Sequence, residues 1–173
     1  SLAAITAAQG HEETVIGVGQ IDPGIPDPKP DDLHNFGTVS VIMRMLKLPD
    51  GRVRILVQGF SRAQVERYDE SKPYLTAKVL PKTEPQVTAD SVELEALIRN
   101  VKSSLERAVS LGKNISQDLV ANASNLDDPA RLADLVASNL DLKVDKAQEV
   151  LELMDPVPRL RRVHELLAKE IEV

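Results

Sequence analysis

Cysteine and tryptophan are absent from the 173 residues, and aromatic side chains make up only 2% of them. Without cysteine there is no disulfide and no thiolate chemistry, which agrees with a reducing compartment. With so few rings, a core has to be built from Leu, Val, Ile, Ala and Met. The stacking platforms favoured by single-stranded nucleic acids are scarce for the same reason. No apolar run approaches the roughly 20 residues that a membrane-spanning helix needs, and no signal-like apolar region opens the chain. A cytoplasmic location is the expectation.

Catalytic signatures are missing too. Neither G-x-x-x-x-G-K-[ST] nor G-x-G-x-x-G occurs, and the G-x-G of Gly17 and Gly19 sits inside a strand-like run with no helix directly after it. His11, His34 and His164 are far apart, with no second ligand at metal spacing. Ser103 and Ser104 adjoin Lys102, but adjacent helical residues point in different directions, so the pairing reads as surface decoration. Asp127-Asp128 is explained by helix capping. The chain is expected to carry no catalytic, cofactor-binding or metal site.

What is present is a β-rich core followed by helices. Phe36 to Gly59 reads FGTVSVIMRMLKLPDGRVRILVQG, two strand-like runs joined at Leu48-Pro49-Asp50-Gly51. Pro fixes φ at the first corner, Asp suits the second, and Gly takes the left-handed position of a three-residue hairpin loop. With Leu48 opposite Arg52, Met45 faces Ile55, Met43 faces Val57 and Arg44 faces Leu56. Alternation then puts Val41, Met43, Met45, Val53, Ile55 and Val57 on a core face. The other face carries Ile42, Arg44, Leu46, Leu48, Arg52, Arg54 and Leu56. Leucines among arginines leave two readings open: a loop or helix covers them, or they form an exposed apolar and cationic strip that grips a partner.

The net charge of −6 opposes a dedicated nucleic-acid binder, yet Phe36 to Lys82 holds nine basic residues against four acidic ones. Around the hairpin, Leu2–Gln9 reads as an Ala-rich helix ending at Gly10, and Thr14–Ile21 as a buried strand whose glycines permit close backbone approach. Ile21–Asp32, with four prolines, is an extended loop. Phe60–Glu66 continues the strand or bends it into a barrel corner, Tyr68–Lys72 is a polar turn, and Tyr74–Lys82 is another strand. From Thr83 to Ala89 the hydrophobic period changes from two to 3.6. Asp90 and Glu93 form a capping box for a helix that buries Leu94, Leu97, Ile98, Val101, Leu105, Ala108 and Val109 and closes at Gly112. A short helix follows over Ser116–Asn122. Asp128-Pro129 opens the next, Asp145–Met154 continues the set, and Asp155-Pro156 opens the last, with Val157, Leu160, His164, Leu167 and Ile171 on one stripe.

The hairpin MRMLKLPDGRVRILVQGFSRAQV, the upstream DDLHNFGTV, and the downstream NLDDPARLADLVASNL and LKVDKAQEVLELMD together resemble the amino-terminal domain of bacterial Lon, the ATP-dependent serine protease. The resemblance implies an α+β fold. Its amino-terminal part, residues 1–85, is a PUA-like pseudo-barrel of mostly antiparallel strands, followed by an all-α bundle over 86–173 that leads toward an ATPase module. That family usually opens with a strand pair ahead of the helix that starts here at Leu2. Both ends read as cutting through an element, so the expectation is a piece of a longer chain lacking its first strands.

The resemblance also implies a non-catalytic module that recognises unfolded, damaged or degron-bearing proteins. The ATPase and protease modules, the ATP and magnesium they use, and a hexameric assembly all belong to the parent. Arg44, Leu46, Leu48, Arg54 and Leu56 are the candidate substrate-binding residues. The alternatives are a nucleic-acid-binding barrel using the basic hairpin, with DNA as the partner, and a stand-alone adaptor domain.

Overall fold

The computed structural model describes residues 14–72, 74–85 and 91–172. The chain divides into two compact units, Ser1–Thr83 and Glu84–Val173. The expected helix at Leu2–Gln9 with its Gly10 stop, and the capping box that begins at Asp90, lie outside the described residues.

The described residues of the first unit form a sheet of four antiparallel strands in sequence order: β1 (Thr14–Gln20), β2 (Leu33–Lys47), β3 (Val53–Asp69) and β4 (Thr76–Lys82). The turn between β2 and β3 forms as its residues dictate. The Leu48 N–H donates to the Arg52 carbonyl at 2.8 Å and the Gly51 N–H to the Leu48 carbonyl at 3.1 Å. Gly51 has φ of +87°, a conformation that costs a side-chain-bearing residue energy. The Asp50 carboxylate accepts the Arg52 N–H at 3.0 Å and locks the corner.

The register beyond the turn corrects one expectation. Arg44 faces Leu56 and Met45 faces Ile55, but Ile42, not Met43, faces Val57. Met43 is the extra residue of a bulge between Ile42 and Arg44, and a second bulge places Phe60 as the extra residue between Gly59 and Ser61. Alternation therefore does not carry through the ribbon. Ile42, assigned to the outer face, is buried, whereas Met43, Ile55 and Val57, assigned to the core, are exposed. The physical reason is reach. Among the described residues, β1 pairs with β2 as far as Val41 and β4 pairs with β3 from Arg62 onward, so the tip of the ribbon has no described strand beside it.

Other boundaries shift for similar reasons. β1 is an outer strand and half-buried rather than buried. The close approach expected of its glycines occurs where Gly37 meets it: a Cβ added there would run into the Gly17 carbonyl oxygen. β3 continues to Asp69, so Tyr68 belongs to a strand and not to a turn. Its hydroxyl donates to the His34 carbonyl at 2.6 Å, tying β3 to β2. Burial raises the Tyr68 phenol above its ordinary pKa. The buried apolar side chains of the sheet are Phe36, Ile42, Ala63 and Val65.

The second unit holds five helices: α1 (Ser91–Ser110), α2 (Gln117–Ser124), α3 (Pro129–Asn139), α4 (Val144–Glu152) and α5 (Pro156–Glu172). Their 3.6-residue stripes converge on a core in which Val101, Leu105, Leu132, Val136, Leu160, Val163 and Leu167 have no exposed surface. α1 closes through Gly112 at φ +71°, with the Gly112 N–H on the Val109 carbonyl and the Lys113 N–H on the Ala108 carbonyl, each at 3.0 Å. That pair of bonds satisfies carbonyls the helix leaves open. Ser116, Asp128 and Asp155 accept backbone N–H bonds at the starts of α2, α3 and α5, at 3.1, 2.9 and 3.1 Å.

Arg159 had no signal in the sequence. It is fully buried, and its guanidinium bonds Glu84 at 2.9 Å and Asp134 at 3.3 Å, with the Leu153 and Met154 carbonyls at 2.8 and 3.0 Å. A buried guanidinium is tolerable only with its donors occupied in this way.

Candidate functional site

The tip of the β2–β3 ribbon is where apolar surface meets solvent. Leu46 is 53% exposed and Leu56 63%, and Met43, Ile55, Val57 and Phe60 are exposed as well. Among the described residues, nothing covers the leucines. Pairing Arg44 with Leu56 and Leu46 with Arg54 across the ladder brings the two leucines together diagonally, flanked by the two guanidinium groups.

Arg44, Leu46, Arg54, Ile55 and Leu56 line a shallow hollow of about 280 Å³. Four of the five candidates thus meet in one place. Leu48 does not join them: it is half-buried at the turn, where its backbone holds the loop closed. Ile55 takes its place in the lining, a residue that alternation assigned to the core. No sequence signal marks the bulge that undoes the alternation.

The electrostatics of the tip are simple. Arg44, Lys47, Arg52 and Arg54 stand against the single carboxylate of Asp50, which Arg52 engages. Arg44 and Arg54 have no ion-pair partner among the described residues, so the hollow presents apolar walls and two available guanidinium groups. Such a surface can take apolar side chains and neighbouring carboxylates together.

The other residues weighed from the sequence stay apart from this surface. Ser104 is half-buried on α1, with its hydroxyl 3.2 Å from His164 Nε2 on α5, so it is a tie between helices and not surface decoration. The Nε2 atom of His34 is buried without a partner among the described residues. Among those residues no group of three or more His, Cys, Asp or Glu side chains is arranged to hold a metal ion. No helix among them is long and apolar enough to cross a membrane.

Comparison with known proteins identifies the family of the chain. Residues 1–169 match the family model of the ATP-dependent protease La (Lon) substrate-binding domain. The chain belongs to the Lon substrate-binding domain family. It is 46% identical to a Lon protease of Trichlorobacter lovleyi over its whole length, and 44% identical to that of Geobacter metallireducens. The chain spans about a fifth, 21%, of the length of each of these relatives. What is matched is the substrate-binding domain, not a catalytic one. Among solved structures, the N-terminal domain of Mycobacterium avium complex Lon protease superposes with a TM-score of 0.70 at 25% identity, covering 96% of this chain and 84% of that one. A Lon N-terminal domain protein from Xanthomonas campestris shares the fold, with a TM-score of 0.54 at 20% identity.

Proposed function

We propose that this Lon domain captures unfolded or damaged polypeptide for an ATP-dependent protease, and that Arg44, Leu46, Arg54 and Leu56 form the capture surface, with Leu48 bracing the turn beneath it. The observation that carries this reading is the pair of exposed leucines between available arginines. An unfolded chain offers apolar side chains that a folded one hides, and each leucine covered is worth roughly 1.5–3 kcal/mol. Association costs of several kcal/mol keep a single such contact weak. A hexameric parent offsets that weakness by presenting several copies at once. In that parent, ATP and magnesium serve an ATPase module, a separate module cuts the chain, and the assembly works in the cytoplasm.

The test is fluorescence anisotropy of a labelled, apolar-rich unfolded peptide titrated with the 173-residue chain at low and high salt. Saturable binding that survives high salt is the expected result. Binding that disappears with salt would favour the basic tip as a nucleic-acid surface, since phosphate contacts weaken steeply with ionic strength. The exposed arginines are the one feature that speaks for that second reading.

A further inference from the structure

The edge of β3 is a second feature of the tip, distinct from its side chains. β4 ends at Lys82, opposite Arg62, so among the described residues the stretch from Val53 to Gly59 pairs with β2 on one side and with nothing on the other. In an antiparallel ladder every second residue turns its N–H and C=O away from the partner strand. Half of the peptide groups between Val53 and Gly59 therefore face outward with no strand beside them among the described residues.

Strand edges are normally guarded by lysine, proline, bulges or short length. β4, the outer strand on this side, has such guards in Lys78, Pro81 and Lys82. The corresponding stretch of β2 carries Lys47 and the Met43 bulge. From Val53 to Gly59 the sequence is VRILVQG, with no lysine, no proline and no extra residue of its own; its one charge is Arg54, and the apolar side chains of Ile55, Leu56 and Val57 are exposed along it.

We infer that this edge receives the bound polypeptide as an added antiparallel or parallel strand, so that recognition rests on backbone hydrogen bonds as well as on the leucine–arginine hollow. The inference depends on the substrate-binding reading and specifies its mode. Backbone pairing is available to any extended chain that lacks proline, which suits a receptor for unfolded proteins of many sequences. The occupant is an extended segment with apolar residues on one face and carboxylates nearby. A second copy of this domain is disfavoured as the occupant because it would bring another tip with four cations and one acid against Arg44 and Arg54.

Amide hydrogen exchange by NMR, on the 173-residue chain with and without a saturating unfolded apolar–acidic peptide, tests this mode. An added strand slows exchange at least tenfold for alternate amides between Val53 and Gly59, while their neighbours, already bonded to β2, are unchanged. The same peptide carrying N-methyl groups on its backbone amides binds at least tenfold more weakly. Peptide binding with unaltered exchange at those amides, and with N-methylation tolerated, overturns the added strand but leaves the hollow as the site. Slowing that is present without peptide and grows with protein concentration assigns the edge to a second copy and also overturns the inference. If no peptide binds, the substrate-binding reading fails and the inference fails with it.

Discussion

The two units of this domain spend their apolar residues in opposite ways. In the helical unit, leucine and valine from α1, α3 and α5 are driven to complete burial around Leu105, Leu132 and Leu160. In the sheet unit, the buried apolar side chains are Phe36, Ile42, Ala63 and Val65, whereas Met43, Leu46, Ile55, Leu56, Val57 and Phe60 face solvent. Both follow from reach. The five described helices can each turn a stripe toward a common centre. Among the described residues, the tip of the ribbon has no strand on either side and no element over its faces. Exposed apolar surface of this kind is the usual mark of a binding region, and its cost in stability is borne by the rest of the fold.

That contrast can be broken by substitution, beginning where the expected effect is largest. Leu160→Ala opens a cavity at the centre of the helical unit and should lower its stability by about 2–5 kcal/mol, read as a fall in the urea midpoint by circular dichroism. Arg159→Met removes the guanidinium bonds to Glu84, Asp134 and the Leu153 and Met154 carbonyls. Because both carboxylates are partly exposed, a loss of about 3 kcal/mol, at the low end for buried pairs, is expected in the same experiment. An unchanged midpoint for either variant would mean that the helical core is not the stabilising element assumed here.

Leu56→Asp sharpens the comparison from the other side. At 63% exposure its effect on stability should stay within about 0.5 kcal/mol. The expected loss is in affinity for unfolded peptide, about tenfold or more, from the removed apolar contact. Loss of secondary structure on making this change would show that Leu56 belongs to a core after all. Asp128→Ala, which removes the cap that accepts the Ala130 N–H, should cost about 1 kcal/mol and leave peptide binding untouched.

The smallest effect concerns acid. Hydrogen bonding from Arg162 at 2.8 Å, assisted by its charge and that of Lys146, lowers the Glu149 carboxyl below its ordinary value. A carboxyl with a lowered folded pKa stabilises the protein above its unfolded pKa, and that contribution is lost as pH falls through the folded value. Glu149→Gln should therefore melt slightly earlier than the parent at neutral pH, with the gap closing on acidification below the usual carboxylate range. A gap that widened with acid would contradict the assignment.

The helices were legible because their signals are local. A capping serine or aspartate, a proline at the first position and a glycine after the last turn each act within a few residues, and Ser116, Asp128-Pro129, Asp155-Pro156 and Gly112 sit where the chain needs them. The β2–β3 turn was legible for the same reason. The faces of the ribbon were not, because burial there depends on where β1 and β4 stop and on the Met43 bulge, which are decisions of the whole sheet. The candidate surface survived this error in part. Arg44, Leu46, Arg54 and Leu56 lie between the bulge and the turn, where the expected pairing holds, whereas Ile55 was drawn into the site from the supposed core. Arg159 was hidden because a single arginine on an amphipathic helix gives no sign that acids from Glu84 and Asp134 will surround it.

The most direct test of the central claim is one pair of titrations. A labelled, apolar-rich unfolded peptide is followed by fluorescence anisotropy against the parent chain and against Leu56→Asp, both shown to be folded, at high salt. The account predicts saturable binding by the parent and at least tenfold weaker binding by the variant. Equal affinity for the two proteins would contradict it and place polypeptide recognition away from the ribbon tip.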